Sequence, residues 1–185
     1  MRRFSKVLIV ALGLIVITAQ ASMASSPHFK RGGSPTCTIT SSGSSASVTC
    51  SASLSGLGNE TLEIDLTVSG FAVYQCQNPS GQNEPRGQNK VLVGPFTTPT
   101  IIPADQIKNG NVSFTTNAAV LTAPTTVSGT AAGCNNDKWT GVNPTLTLTD
   151  ILLTIDQPAG NRLFTCSKSD PNGLTGTVAL TCTSP

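Results

Sequence analysis

The sequence predicts an all-β protein: a two-sheet antiparallel β-sandwich stapled by disulfides and made behind an N-terminal signal peptide. Three observations carry that expectation. In TLEIDLTV, the apolar Leu62, Ile64, Leu66 and Val68 alternate with Thr61, Glu63, Asp65 and Thr67, the period of a strand with one buried face. No stretch keeps a helical period beyond one turn, while Gly and Pro punctuate the chain at short intervals. All six cysteines follow the leader, and an even number in an exported chain reads as three disulfides.

The leader comes first. Arg2, Arg3 and Lys6 precede the unbroken apolar run VLIVALGLIVI from Val7 to Ile17, followed by small residues, the layout of a secretory signal peptide. Such a run, at about 1.5 Å per residue, spans roughly half of a ~30 Å hydrocarbon layer, which argues against a membrane anchor. Ala19-Gln20-Ala21 and Ser22-Met23-Ala24 are both small-x-small sites, so cleavage is expected after Ala21 or Ala24. Residues 1–24 are thus read as signal peptide, residues 25–35 as a flexible N-terminal tail and residues 36–185 as a single β-sandwich domain. No long apolar segment closes the C-terminus, so no membrane span is expected in the mature form.

Cleavage changes the sign of the charge. The chain holds 11 Lys and Arg against 9 Asp and Glu, and Arg2, Arg3 and Lys6 leave with the leader, so the mature protein is slightly acidic. The remaining cations are scattered, which excludes the dense positive field that a nucleic acid backbone requires.

Strands are expected at Ala46 to Leu54, Thr61 to Val68 and Phe71 to Cys76, the three forming a meander. Others are expected at Lys90 to Val93, Asn111 to Thr116, Thr125 to Thr130, Thr145 to Ile155, Leu163 to Cys166 and Thr175 to Cys182. Pro103 to Lys108 reads as one helical turn ending at Asn109-Gly110, and Asp170-Pro171-Asn172-Gly173 as a type I turn. Asn59-Glu60-Thr61 and Asn111-Val112-Ser113 fit the glycosylation sequon.

Strand geometry argues the cysteine pairing. Cys37 and Cys50 flank SSGSS, so a hairpin about Gly43 and Ser44 sets them opposite each other. Cys166 and Cys182 flank DPNG in the same way, which leaves Cys76 with Cys134. No CxxC pair exists and the sole histidine, His28, lies in the tail, so no metal site is expected.

About nine or ten short strands at this spacing imply a sandwich with Greek-key connections, immunoglobulin-like in the broad sense, with a closed barrel as the alternative. The segments GLGNETLEIDLTVSG, YQCQN with GQNK downstream, IKNGNVSFT and GCNNDKW resemble a diffuse group of uncharacterised secreted bacterial β proteins. The resemblance covers nearly the whole mature chain and implies a bacterial, exported sandwich; no activity or residue role comes with it.

The residues point away from catalysis. A Ser-His-Asp or Cys-His arrangement needs a positioned imidazole, and His28 is the one candidate. Glu63 and Asp65 fall on the solvent face of one strand, while Asp150 and Asp156 bracket another. No catalytic residue and no cofactor are expected, and Phe71, Phe114 and Phe164 are read as core. If Cys76 pairs with Cys134, the polar loop from Gln77 to Asn89 is tied to the loop from Asn135 to Asn143, bringing Arg86 near Trp139. Gln77, Arg86, Asn89, Asn135 and Trp139 are therefore the candidate recognition residues. The expected function is a secreted, non-enzymatic binding or surface-associated module with an extracellular or cell-surface ligand. Its alternatives are a carbohydrate-binding or carboxylate-dependent hydrolase accessory domain using Trp139, and a protease inhibitor using the loop from Gln77 to Asn89 as bait.

Overall fold

A computed structural model describes residues 26–30 and 33–185. The signal peptide, both cleavage sites and residues 25, 31 and 32 of the expected tail lie outside the described residues. The strands are β1 (His28–Phe29), β2 (Thr36–Ser42), β3 (Ser45–Ser55), β4 (Leu62–Gln77), β5 (Asn83–Arg86), β6 (Val91–Ile102), β7 (Val112–Thr115), β8 (Ala119–Thr122), β9 (Val127–Ser128), β10 (Thr140–Asp156), β11 (Arg162–Ser169), β12 (Gly176–Ala179) and β13 (Thr181–Thr183), with one short helix, α1 (Gly129–Ala132). Every pairing is antiparallel, and the strands form two sheets.

The first sheet is organised around β3, which pairs with β2 and β1 along one edge and with β7 and β8 along the other, while β12 adds to β2. The second is organised around the two longest strands, β4 and β10, paired over almost their whole lengths. β6 and β5 flank β4, and β11 and β9 flank β10, with β13 beyond β11. The chain crosses between sheets from β3 to β4, β6 to β7, β8 to β9 and β11 to β12. It crosses once more at Leu180, buried between β12 and β13.

The expected meander is corrected here. The segments on either side of Ser69-Gly70 are one continuous strand, β4, and β3 lies in the opposite sheet. A two-residue Ser-Gly turn would need the chain to reverse, but burial alternates without interruption from Leu62 to Gln77. The neighbours absorb the irregularity instead. Thr149 is an extra residue in β10, between Leu148 opposite Gly70 and Asp150 opposite Ser69. On the other side β6 carries an extra residue between Val93 and Phe96. A Cβ on residue 70 would overlap the Thr147 carbonyl, so glycine is what lets β10 approach at this level.

On the inner face of the second sheet Leu62, Ile64, Leu66 and Val68 of β4 lie beside Ile151, Leu153 and Ile155 of β10, and Val48, Leu54 and Leu121 come from the first sheet, all 2% exposed or less. Burying such a side chain contributes about 1.5–3 kcal/mol each, so this layer dominates stability. Tyr74 is the largest fully buried side chain; its hydroxyl donates to the Pro124 carbonyl at 2.9 Å. Gln157, also buried, ties down the β3 to β4 crossing: its Nε2 donates to the Gly58 and Glu60 carbonyls and its Oε1 accepts from the Gly58 amide.

Three disulfides join Cys37 to Cys50, Cys76 to Cys134 and Cys166 to Cys182. These are the partners that the hairpin argument gives, but the last pair is reached differently. The expected single strand Thr175 to Cys182 is two: β12 pairs with β2, and only β13 pairs with β11, where Cys182 sits opposite Cys166.

Other expectations shift locally. Val127–Ser128 is strand, but the chain then turns into α1, whose N-terminus the Ser128 hydroxyl caps by accepting from the Ala131 amide. A 3₁₀ turn covers Ala104–Gln106; Asn109 and Gly110, both with positive φ, form the tip of a separate tight turn closed by Lys108 and Asn111. The tail read as flexible is tied down where described: His28 and Phe29 pair with β3, and the Phe29 ring packs 4.6 Å from that of Phe164. β8 leaves no signal in the sequence, since AVLT between Asn117 and Pro124 is too short to show a period.

Candidate functional site

The Cys76–Cys134 bridge lies where the end of β4 meets α1. It does not act alone. The Gly87 amide donates to the Tyr74 carbonyl, the Gln88 amide to Gly133 and the Asn89 amide to Ala132, so the first loop is laced to both β4 and α1. A Cβ on residue 87 would overlap the Ala132 carbonyl, which explains the glycine at this contact.

The five sequence-predicted residues divide into two groups. Arg86, Asn135 and Trp139 line one cleft of about 90 Å³, together with Gln88 and the bridge. Arg86 is exposed, donating from Nη2 to the Thr145 hydroxyl at 3.3 Å, and Trp139 is half-buried. Gln77 and Asn89 hold the loop instead. Gln77 Nε2 donates to Asn83 Oδ1 at 2.9 Å, and Asn89 Nδ2 donates to the Thr130 carbonyl at 3.2 Å. The loop from Gln77 to Asn89 also contains β5, which pairs with β4, so part of it is sheet rather than free bait.

Size decides what this cleft can take. Small-molecule sites run from about 300 Å³ upward. A cleft of about 90 Å³ has room for a single side chain.

Phe71 stands as a correction. Read as core, it points outward, because the unbroken alternation of β4 puts it on the face of Glu63, Asp65 and Thr67. There it lines a cavity of about 330 Å³ with Lys90, Thr149, Asp150, Ser169 and Pro171. Phe114 and Phe164 are buried as expected.

The carboxylates are likewise dispersed. Asp150 and Asp156 lie six residues apart on β10, roughly 20 Å along a strand, against the 5–9.5 Å that paired glycosidase carboxylates need. Asp156 pairs with Arg162, and it faces Glu63 across the β10–β4 pair.

The chain matches no protein-family model and no curated protein.

Proposed function

We propose that the protein is an exported, non-enzymatic binding module that recognises an extracellular or cell-surface partner through the loops joined by the Cys76–Cys134 bridge. The observation that carries this reading is the shared cleft of Arg86 and Trp139, held by a disulfide and by main-chain hydrogen bonds. Loops fixed before binding cost little to order. Trp and Arg are also the residue types that most often dominate contact energies. The cleft volume suits a side chain of a protein partner. Three disulfides fit a compartment outside the cytoplasm, and no helix among the described residues is long and apolar enough to cross a membrane.

The test is binding of the purified, oxidised mature protein to the surface of the producing cells, read by Trp139 fluorescence and by pull-down. Arg86→Ala and Trp139→Ala are expected to weaken binding at least about tenfold while leaving the fold intact. Turnover of a polysaccharide, peptide or ester panel that disappears on changing Asp150 or Asp156 overturns the reading, as does binding that ignores both substitutions.

A further inference from the structure

The cavity over Phe71 lies at an irregular level of the second sheet. Two of the sheet's bulges, at Thr149 in β10 and between Val93 and Phe96 in β6, fall at the level of Ser69 and Gly70, next to Phe71. Bulges re-aim side chains, and they are over-represented beside functional sites. Here the extra residue in β10 puts Thr149 and Asp150 side by side against the cavity.

The walls differ in charge. On one, the Lys90 ammonium stands 4.1 Å from the Phe71 ring centroid, a cation held over the ring face. On the other, the Asp150 carboxylate accepts from the Thr149 hydroxyl and from the Ser169 hydroxyl, each at 2.6 Å. Each hydroxyl has one hydrogen; that of Ser169 goes to the carboxylate and that of Thr149 to the carboxylate or to the Ser69 carbonyl 3.4 Å away, so what remains to face a ligand is lone pairs. This wall is therefore acceptor-only and negative. Lys90 supplies only donors and a positive charge. The two charges do not pair with each other; among the described residues the one ion pair is Arg162 with Asp156.

We propose that this cavity binds a small zwitterion of the amino acid class. The ligand's primary ammonium sits against Asp150, Thr149 and Ser169, its carboxylate meets Lys90, and its apolar part rests on Phe71 and Pro171. Of the small organic ligands, only one with a cationic donor and an anionic acceptor on a short frame satisfies both walls at once. A neutral polyol leaves both charges without counterparts, and an acidic sugar answers Lys90 alone. The volume of about 330 Å³ suits such a ligand, and the site is distinct from the Arg86 and Trp139 cleft.

The experiment is an NMR titration of the oxidised mature protein with L-leucine, N-acetyl-L-leucine and L-leucinamide. Leucine is expected to shift the amides of Phe71, Thr149, Asp150 and Ser169. Blocking either end is expected to weaken binding about tenfold or more, the scale of one lost charged contact. Lys90→Gln should then bind leucine no better than leucinamide, and Asp150→Asn should bind leucine no better than N-acetyl-leucine. That crossed pattern separates recognition from a structural role. If Asp150→Asn does not fold, the exposed Lys90→Gln arm decides alone. Absence of shifts at these residues, equal binding of the blocked and free ligands, or tighter binding of glucuronate that depends on Lys90 overturns the proposal.

Discussion

The outward faces of the two sheets are built from different chemistry. On the first, row after row pairs hydroxyl with hydroxyl: Thr36 with Ser51 and Thr115, Thr38 with Thr49 and Thr177, Thr40 with Ser47, Ser42 with Ser45 and Thr122, Ser53 with Ser113. No charged residue stands in these rows. On the second, the rows bring Glu63 opposite Asp156 and Asp65 opposite Thr154, and put Phe71 beside Thr147 and Asp150 beside Ser169. Both clefts discussed above lie at this face or at its end. The pairing of the first sheet around β2 and β3 keeps one register throughout, whereas that of the second is broken by bulges. Regular pairing keeps every other residue inward and leaves a hydroxyl-lined face outward, whose cavity of about 420 Å³ over Thr36, Ser51, Ser53, Ser113 and Thr115 holds no charged side chain. Irregular pairing gathers unlike side chains, and recognition needs unlike side chains.

Four changes test that contrast. The largest effect is expected from removing the bridge at the end of the second sheet. Cys76 and Cys134 are 58 positions apart in sequence, against 13 for the bridge in the first sheet, so loop entropy predicts losses of about 4 and about 3 kcal/mol for the paired Cys→Ser variants. Denaturant unfolding measures both, and equal losses mean that the reduced loops are held by their other contacts. Next comes Gly70→Ala, where the added methyl meets the Thr147 carbonyl. A loss of about 3 kcal/mol is expected, with amide shifts spreading to Phe71 and Asp150. A neutral outcome would show the bulge to be pliable.

A smaller effect is expected at Tyr74. Burial raises its phenol above the ordinary value near 10. The folded state holds that proton more tightly than the unfolded chain, so stability is whole below about pH 10 and falls as pH rises toward the folded value. Tyr74→Phe should lose about 1 kcal/mol at neutral pH with the bond to Pro124, and should no longer show this alkaline loss. Parallel alkaline profiles for the two proteins would assign the loss elsewhere. Smallest of all, Thr38→Glu or Ser47→Lys on the first sheet should change stability by no more than about 0.5 kcal/mol and leave partner binding intact. Loss of binding in either would give the hydroxyl face a role and show that recognition is not confined to the second sheet.

The fold was legible wherever one strand showed its own period. The alternation from Leu62 to Val68 identified β4, and the turn-flanking cysteines identified two bridges with the third by elimination. What escaped was decided between strands. Whether Ser69-Gly70 is a turn or the centre of a double bulge depends on β10 and β6, which are distant in sequence, and Phe71 was misplaced with it. The split at Leu180 escaped because TVALTC reads as one strand whichever sheet its two halves join. At the candidate site, Arg86 and Trp139 could be brought together from the cysteine pairing alone. Lys90, Asp150 and Ser169 could not, since they converge only through sheet register. The polar and apolar alternation of the sequence stops at Gly70, since Phe71, Ala72, Val73 and Tyr74 are all apolar, so the outward place of Phe71 shows only in the burial of the folded strand.

The bridges also set how the molecule answers a pull. A protein tethered at a surface is loaded through its chain, and each disulfide takes the enclosed segment out of the line of force. The three span 13, 58 and 16 residues without overlap, so about 300 Å of chain at full extension is withheld from stretching. Even after the sheets separate under load, the loops carrying Arg86 and Trp139 remain joined to each other through Cys76 and Cys134. Oxidised, the chain has little slack to give, and its two polar loops are kept together.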